Sequence, residues 1–186
     1  MNVRAAERAD LAALAQLWFD GWHDAHAAIL PEELARHRTL ESFHQRLEEG
    51  IDRLRVIGPA GDPLGFAFLK DDELYQLYVH ARARGSGMAA KLVSDAEARI
   101  AEQGAQVAWL ACAIGNDRAA RFYEKSGWRR VSTMVSRLEI PTGIFSLDVW
   151  RYEKVLSVLA SGEDNDRDWN REAPKAASGQ DKSVSE

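Results

Sequence analysis

Residues Arg84-Gly85-Ser86-Gly87-Met88-Ala89 stand between an apolar run, Leu74–Val79, and a stretch of helical periodicity. A strand, a glycine-rich turn and a helix in that order form a cradle for an anion. Glycines admit close approach and dihedrals that side chains forbid. The helix that follows adds unpaired amides and the positive end of its dipole. Phosphate binding is the chemistry this predicts, although a lone Gly-x-Gly turn is a weak signal. The Gly-Lys-Ser/Thr continuation of a nucleotide-binding P-loop is missing after Gly87. A second constellation lies downstream. Asn116 and Tyr123 are two helical turns apart and share one side of a helix expected over Asn116–Ser126. The Asn116 amide offers donors and an acceptor, and the Tyr123 phenol offers a proton.

The elements that must position these residues are legible as hydrophobic patterns. Asn2–Ala6 reads as a first strand, and Asp10 as the N-cap of a helix carrying Leu11, Leu14, Leu17 and Trp18. Trp22 to Leu30 continues an apolar-aromatic segment that Pro31 interrupts. A second helix is expected over Thr39–Glu49, with Gly50 as its stop. Arg53–Ile57, Leu64–Leu69 and Glu73–Val79, separated by tight turns, predict an antiparallel meander. A helix bearing Leu92, Val93, Ala96 and Ile100 follows the glycine turn and ends near Gly104. Val107–Ile114 is a continuous apolar run, the pattern of a buried central strand, and a parallel crossover would set it beside Glu73–Val79. After the Asn116 helix and Gly127, two strands are expected, Trp128–Ile140 and Ile144–Lys154. The fold class is therefore α/β, with a mixed, mostly antiparallel sheet, a parallel strand pair and flanking helices. Residues 1–158 form one domain, and 159–186, rich in Ser, Gly, Asp, Glu and Lys, are expected to be a disordered tail.

Composition narrows the function classes. The 186 residues are 46% hydrophobic and 28% charged, ordinary for a globular chain with one core. A net charge of −5 and the lack of a Lys/Arg run give nucleic-acid binding no support. The single cysteine, Cys112, excludes an intrachain disulfide and a multi-cysteine metal cluster. Met1-Asn2-Val3-Arg4 does not open an apolar leader, and no run is long enough to span a membrane, so a cytoplasmic location is expected.

The glycine turn and the stretch Asn116-Asp117-Arg118-Ala119-Ala120-Arg121-Phe122-Tyr123-Glu124-Lys125-Ser126-Gly127-Trp128 together resemble the GCN5-related N-acetyltransferase (GNAT) superfamily. In that family an apolar strand end leads to Arg/Gln-x-x-Gly-x-Gly/Ala, matched here by Leu77-Tyr78-Val79 and then Arg84-x-x-Gly87-x-Ala89. Arg82-x-x-Gly85-x-Gly87 also fits, and Ala81 stands where the family often has proline. Further on the family carries Asn, Ala, Phe-Tyr-Glu-Lys and a Gly-aromatic pair, all found here. The resemblance covers residues 1–155 and implies an acetyl-coenzyme A-dependent N-acetyltransferase with a small-molecule amine or a peptide as acceptor. Charge and hydropathy, as above, leave no expected nucleic-acid or membrane partner, and dimers are common in the family, so the resemblance admits a homodimer.

The resemblance assigns the cofactor's pyrophosphate to the backbone of Arg84, Gly85, Ser86, Gly87, Met88 and Ala89. Its pantetheine arm falls to the backbone of Leu77, Tyr78 and Val79 and to the Asn116 amide, which is equally suited to a helix N-cap. Arg82, Arg84 or Lys91 can add charge. Tyr123 becomes the proton donor to the leaving thiolate, its alternative being a packed aromatic. Some members carry a glutamate on the strand before the Asn, but Leu110-Ala111-Cys112-Ala113 offers no carboxylate there. Glu73 is the candidate general base, with a solvated turn residue as its alternative. Strict alternation places Glu73, Tyr75, Leu77 and Val79 on one face. His23 and His26 can share one helical face, but a metal site needs more ligands and no third is evident; with Trp22 and Asp24 they are expected to rim the acceptor pocket. Cys112 is expected to pack as a small apolar residue. A domain that binds acyl-coenzyme A without turning it over is the alternative function.

Overall fold

A computed structural model describes residues 1–156. The expected tail, 159–186, and the end of the 1–158 domain lie outside the described residues. Seven strands form one sheet: β1 (Val3–Ala5), β2 (Leu54–Ile57), β3 (Gly65–Lys70), β4 (Glu73–Val79), β5 (Val107–Ala113), β6 (Arg129–Ile140) and β7 (Gly143–Val155). Their order across the sheet is β1-β2-β3-β4-β5-β7-β6. Every pairing is antiparallel except that of β4 with β5. The helices are α1 (Leu11–His26), α2 (Glu32–His37), α3 (Leu40–Glu49), α4 (Met88–Glu102) and α5 (Asp117–Lys125).

Two apolar clusters cover the two faces of the sheet. One face meets α1, α2 and α3 through Leu14, Trp18, Leu34, Phe43 and Leu47, packed on Val56, Phe66 and Phe68. The Trp18 ring stacks on Phe43 at 4.6 Å and meets Phe66 at 5.7 Å, in the separations aromatic pairs prefer. The opposite face meets α4 and α5 through Leu92, Val93, Ala96, Ile100 and Ala120, against Leu74, Leu110, Trp128 and Tyr152.

The sequence reading and the structure differ in four places. The short α2, after Pro31, was not expected. Asp10 is no conventional cap of α1. It is fully buried and accepts from both Arg4 guanidinium nitrogens at 2.7 and 2.8 Å and from the Glu7 and Gly61 amides at 2.9 Å. Those bonds tie β1 to the β2–β3 turn and, against the burial that opposes ionisation, hold the Asp10 carboxyl below its usual range. Gly50 does end α3, but at φ −113°, so it is not a left-handed cap. A Cβ there would lie 2.2 Å from Phe68, and close packing is the requirement. Finally, β5 is not buried along both faces: Ala108, Leu110, Cys112 and Ala113 are covered while Val107 and Ala111 are exposed.

Candidate active site

Parallel β4 and β5 are paired at one position, Glu73 opposite Trp109, with the Trp109 amide donating to Asp72 O at 3.1 Å. Beyond that point they splay, and the far edge of β4 is left open. The His80 amide donates to Leu64 O at 2.8 Å, on the β3 side. By the two-residue alternation of an antiparallel ladder, the N–H and C=O groups of Leu77 and Val79 point to the open edge, while those of Tyr78 belong to β3. Leu77 and Val79 thus present peptide groups to the cleft, and Tyr78 presents its ring.

At the end of β4 the chain turns into α4 through the glycine cradle. Gly85 and Gly87 have φ of +77° and +81°, and a Cβ at either would meet nothing within 4 Å. Glycine is required there by conformation, and it leaves the concavity open. Among the described residues the amides of Gly85, Gly87, Met88 and Ala89 donate to no protein acceptor. Those of Arg84 and Ser86 do, to Ala81 O at 3.3 Å and Ala83 O at 3.4 Å. The Ser86 hydroxyl also turns back to Ala83 O. The expected run of six donors therefore reduces to four that face outward. The charge at the cradle's rim is engaged as well. Asp24, at the end of α1, accepts from Arg84 at 2.8 Å and from Arg118 of α5 at 2.9 Å. Those two guanidiniums, Arg118 first, hold the Asp24 carboxyl below its ordinary range. Arg82 pairs with Asp62 instead.

A cavity of about 500 Å³ runs from this cradle through the splay to the far side of β4. Asn116 caps α5, its Oδ1 accepting from the Ala119 amide at 3.2 Å, which leaves its amide nitrogen at the cavity wall. Tyr123, two turns further along α5, lines the same cavity. Its ring packs against Phe122 at 5.4 Å and against Trp128 and Tyr152 at 6.2 Å. Dense protein on those sides drives the phenol pKa well above 10, although the ring keeps some accessible surface along the cleft. Cys112 is buried beside it, and burial pushes its thiol up to about 12, so the neutral packing role holds.

Glu73 stands at the point where the strands part. Burial lifts its carboxyl from 4.5 to about 7, partly opposed by Lys70 and assisted by Asp72. It shares the cavity wall with Tyr75, but not in the way strict alternation predicts. Phe68 pairs with Gln76 and Leu69 with Leu74, so Tyr75 is the extra residue of a β-bulge. Beyond the bulge Leu77 and Val79 pack toward α4, while Tyr75 and Tyr78 pack toward α1 and α3. The expected common face of Glu73, Tyr75, Leu77 and Val79 is thereby broken.

Trp22 and His26 line the cavity, and His23 does not. The His23 and His26 Nδ1 atoms each bond the carbonyl four residues back, at 2.9 and 3.0 Å. Burial, aided by Arg118 and His23, lowers His26 to about 4, so it is neutral at ordinary pH. Sequence reasoning passed over two further lining residues, Arg38 and Arg46. They follow α2 and lie in α3, and they meet Tyr75 and the inner face of the β6–β7 hairpin, at Ser136, Leu138 and Leu147. No local pattern signals them, because the cavity wall they join is assembled from segments about a hundred residues apart.

The sequence matches the Acetyltransferase (GNAT) family over residues 11–128, more than half of the chain and inclusive of both motifs. The chain belongs to this family. Similar GNAT relatives are uncharacterized N-acetyltransferases of Mycobacterium bovis and Mycobacterium tuberculosis, 34% identical over 120 residues that span 60% of this chain and 77% of each relative. The GNAT fold is also that of the PaiA N-acetyltransferase from Thermoplasma acidophilum, solved with coenzyme A. That structure has a TM-score of 0.62 at 19% identity, over 83% of this chain and 98% of the other. YncA from Salmonella typhimurium, solved with its cofactor acetyl-CoA, has a TM-score of 0.57 at 19% identity, over 95% and 99% of the two chains.

Proposed function

We propose that this GNAT protein transfers the acetyl group of acetyl-CoA to a primary amine by direct attack within a ternary complex. The observation that carries the reading is the single cavity in which an open cradle, an unpaired strand edge, Tyr123 and Glu73 come together. The four outward amides and the α4 dipole suit a diphosphate. The open edge of Leu77 and Val79 suits the amides of a pantetheine arm, bound as an added strand. Bound there, acetyl-CoA supplies the thioester carbonyl that the amine attacks.

The chain's own residues would do the rest. Glu73, with a pKa of about 7, is matched to accept a proton from an ammonium or an attacking amine near neutral pH. An outward N–H of β4 would stabilise charge developing on the carbonyl oxygen. Tyr123 would donate a hydrogen bond to the departing sulfur. Its pKa lies above 10 and that of a simple thiol near ~8.5, so full proton transfer runs uphill and the phenol works as a neutral donor. Alignment of the two substrates supplies much of the rate. Acetyl-CoA titration by calorimetry, followed by thiol release with a panel of amines, tests the reading. Binding with amine-dependent release supports it, and binding without release for any amine points to the non-catalytic alternative.

A further inference from the structure

Arg38 closes the far end of the cavity and is only 5% exposed. A guanidinium so deeply placed is normally paired, because an uncompensated buried charge is costly. Among the described residues Arg38 makes no salt bridge, and its side chain donates no hydrogen bond to protein. Its charged neighbour is Arg46, a second cation, which together with burial lowers the Arg38 pKa to about 10. Arg46 in turn reaches only neutral oxygens, the Tyr75 hydroxyl and Glu139 O, both at 3.4 Å. The carboxylate lining the same cavity, Glu73, is lifted by burial toward its protonated form. Two guanidiniums thus share one wall with no anion of the described residues set against them.

We propose that Arg38, with Arg46 beside it, is an anion subsite that selects small acceptors bearing a carboxylate as well as the reacting amine. The proposal rests on the amine-acetylation reading above. A planar carboxylate matches the paired donors of a guanidinium. It would seat the acceptor at Arg38 and leave its amine toward Glu73 and the cleft. Polyamines and other polycations would be repelled at the same wall.

The test compares amino acids with their primary amides, and with spermidine, as acceptors at saturating acetyl-CoA. The acids should exceed their amides by about 10²-fold or more in kcat/KM, because an amide leaves the buried cation uncompensated. Arg38→Gln should bring that ratio to within about 3-fold, with acetyl-CoA affinity unchanged, and Arg38→Lys should restore part of it. Arg46→Gln, at a less buried position, should lower the ratio in the same direction and serves if the Arg38 variants do not fold. Amides or spermidine acetylated as well as the acids, or an unchanged ratio in Arg38→Gln, would overturn the subsite. Calorimetry with N-acetyl amino acids and their amides, in the presence of coenzyme A, reads the subsite without turnover. Binding of acids alone, lost in Arg38→Gln, supports it even if no amine is acetylated, in which case only the transfer reading fails. No binding of any acid overturns it.

Discussion

Glu73 and Tyr123 illustrate how position, more than residue type, decides chemistry. A glutamate beginning a strand after two aspartates is ordinarily a solvated group. Here the parting of β4 from β5 leaves it half-buried at the head of a cavity, and its pKa rises to about 7. If it is the base, kcat/KM should rise with pH through about 7, and Glu73→Gln should abolish that inflection and depress the rate at pH 8. The same shift has a stability consequence. A carboxyl raised in the folded state favours folding fully below 4.5, and that contribution is lost as pH rises through about 7. Thermal melts should therefore show Glu73→Gln gaining on the parent between pH 5 and 8. For Tyr123→Phe, steady-state assays should give a kcat lower by ~10²-fold, within the span of acid–base effects. Acetyl-CoA affinity should stay nearly constant, and an unchanged kcat would remove the phenol from the mechanism.

At the scale of elements, the unit from β4 through the cradle to α4 carries the residues to which the proposed chemistry is assigned. The bulge at Tyr75 sends its ring and that of Tyr78 toward α1 and α3, and Leu77 and Val79 toward α4. In the proposed reaction one strand would thus serve the acceptor side and the cofactor side together. The cradle depends on Gly87, which at φ +81° begins α4 with open space where a side chain would stand. Gly87→Glu would fill that space with a charge of the same sign as phosphate and strain the backbone by ~1–2 kcal/mol. Calorimetry should show acetyl-CoA binding weakened by ~10²-fold or more, the scale of one lost charged contact plus repulsion. An affinity equal to the parent's would place the phosphate site elsewhere. The strand order, every helix but α2, the glycine turn and the helix expected over Asn116–Ser126 were legible in the sequence, because periodicity and turn residues act locally. The bulge was not, since it exists only in the pairing of β4 with β3. For the same reason the run Val107–Ile114 promised burial on both faces, whereas the splay leaves Ala111 open to the cavity.

Across the whole molecule, the sheet is clamped between two helical layers and opened at one seam, where the proposed reaction would bring both substrates together. Asp10 secures β1 to the β2–β3 turn. Asp10→Ala would leave Arg4 and two amides without their acceptor, a loss of about 3 kcal/mol typical of a broken buried pair. Denaturant unfolding at pH 7 checks this. The contribution exists above the carboxyl's unfolded pKa and should fade as pH falls through its depressed folded value. The Arg38 and Arg46 wall shows where local reading ends. An arginine after a short helix looks solvated in sequence, and only the docking of α2 and α3 against β4 and the β6–β7 hairpin encloses it.

The most direct test of the central claim is acetyl-CoA-dependent release of free thiol, measured together with the mass of the acetylated amine. Release should require an amine, add one acetyl group per thiol freed, and fall strongly in Tyr123→Phe. Thiol release equal with and without amine, or no binding of acetyl-CoA at all, would contradict that claim.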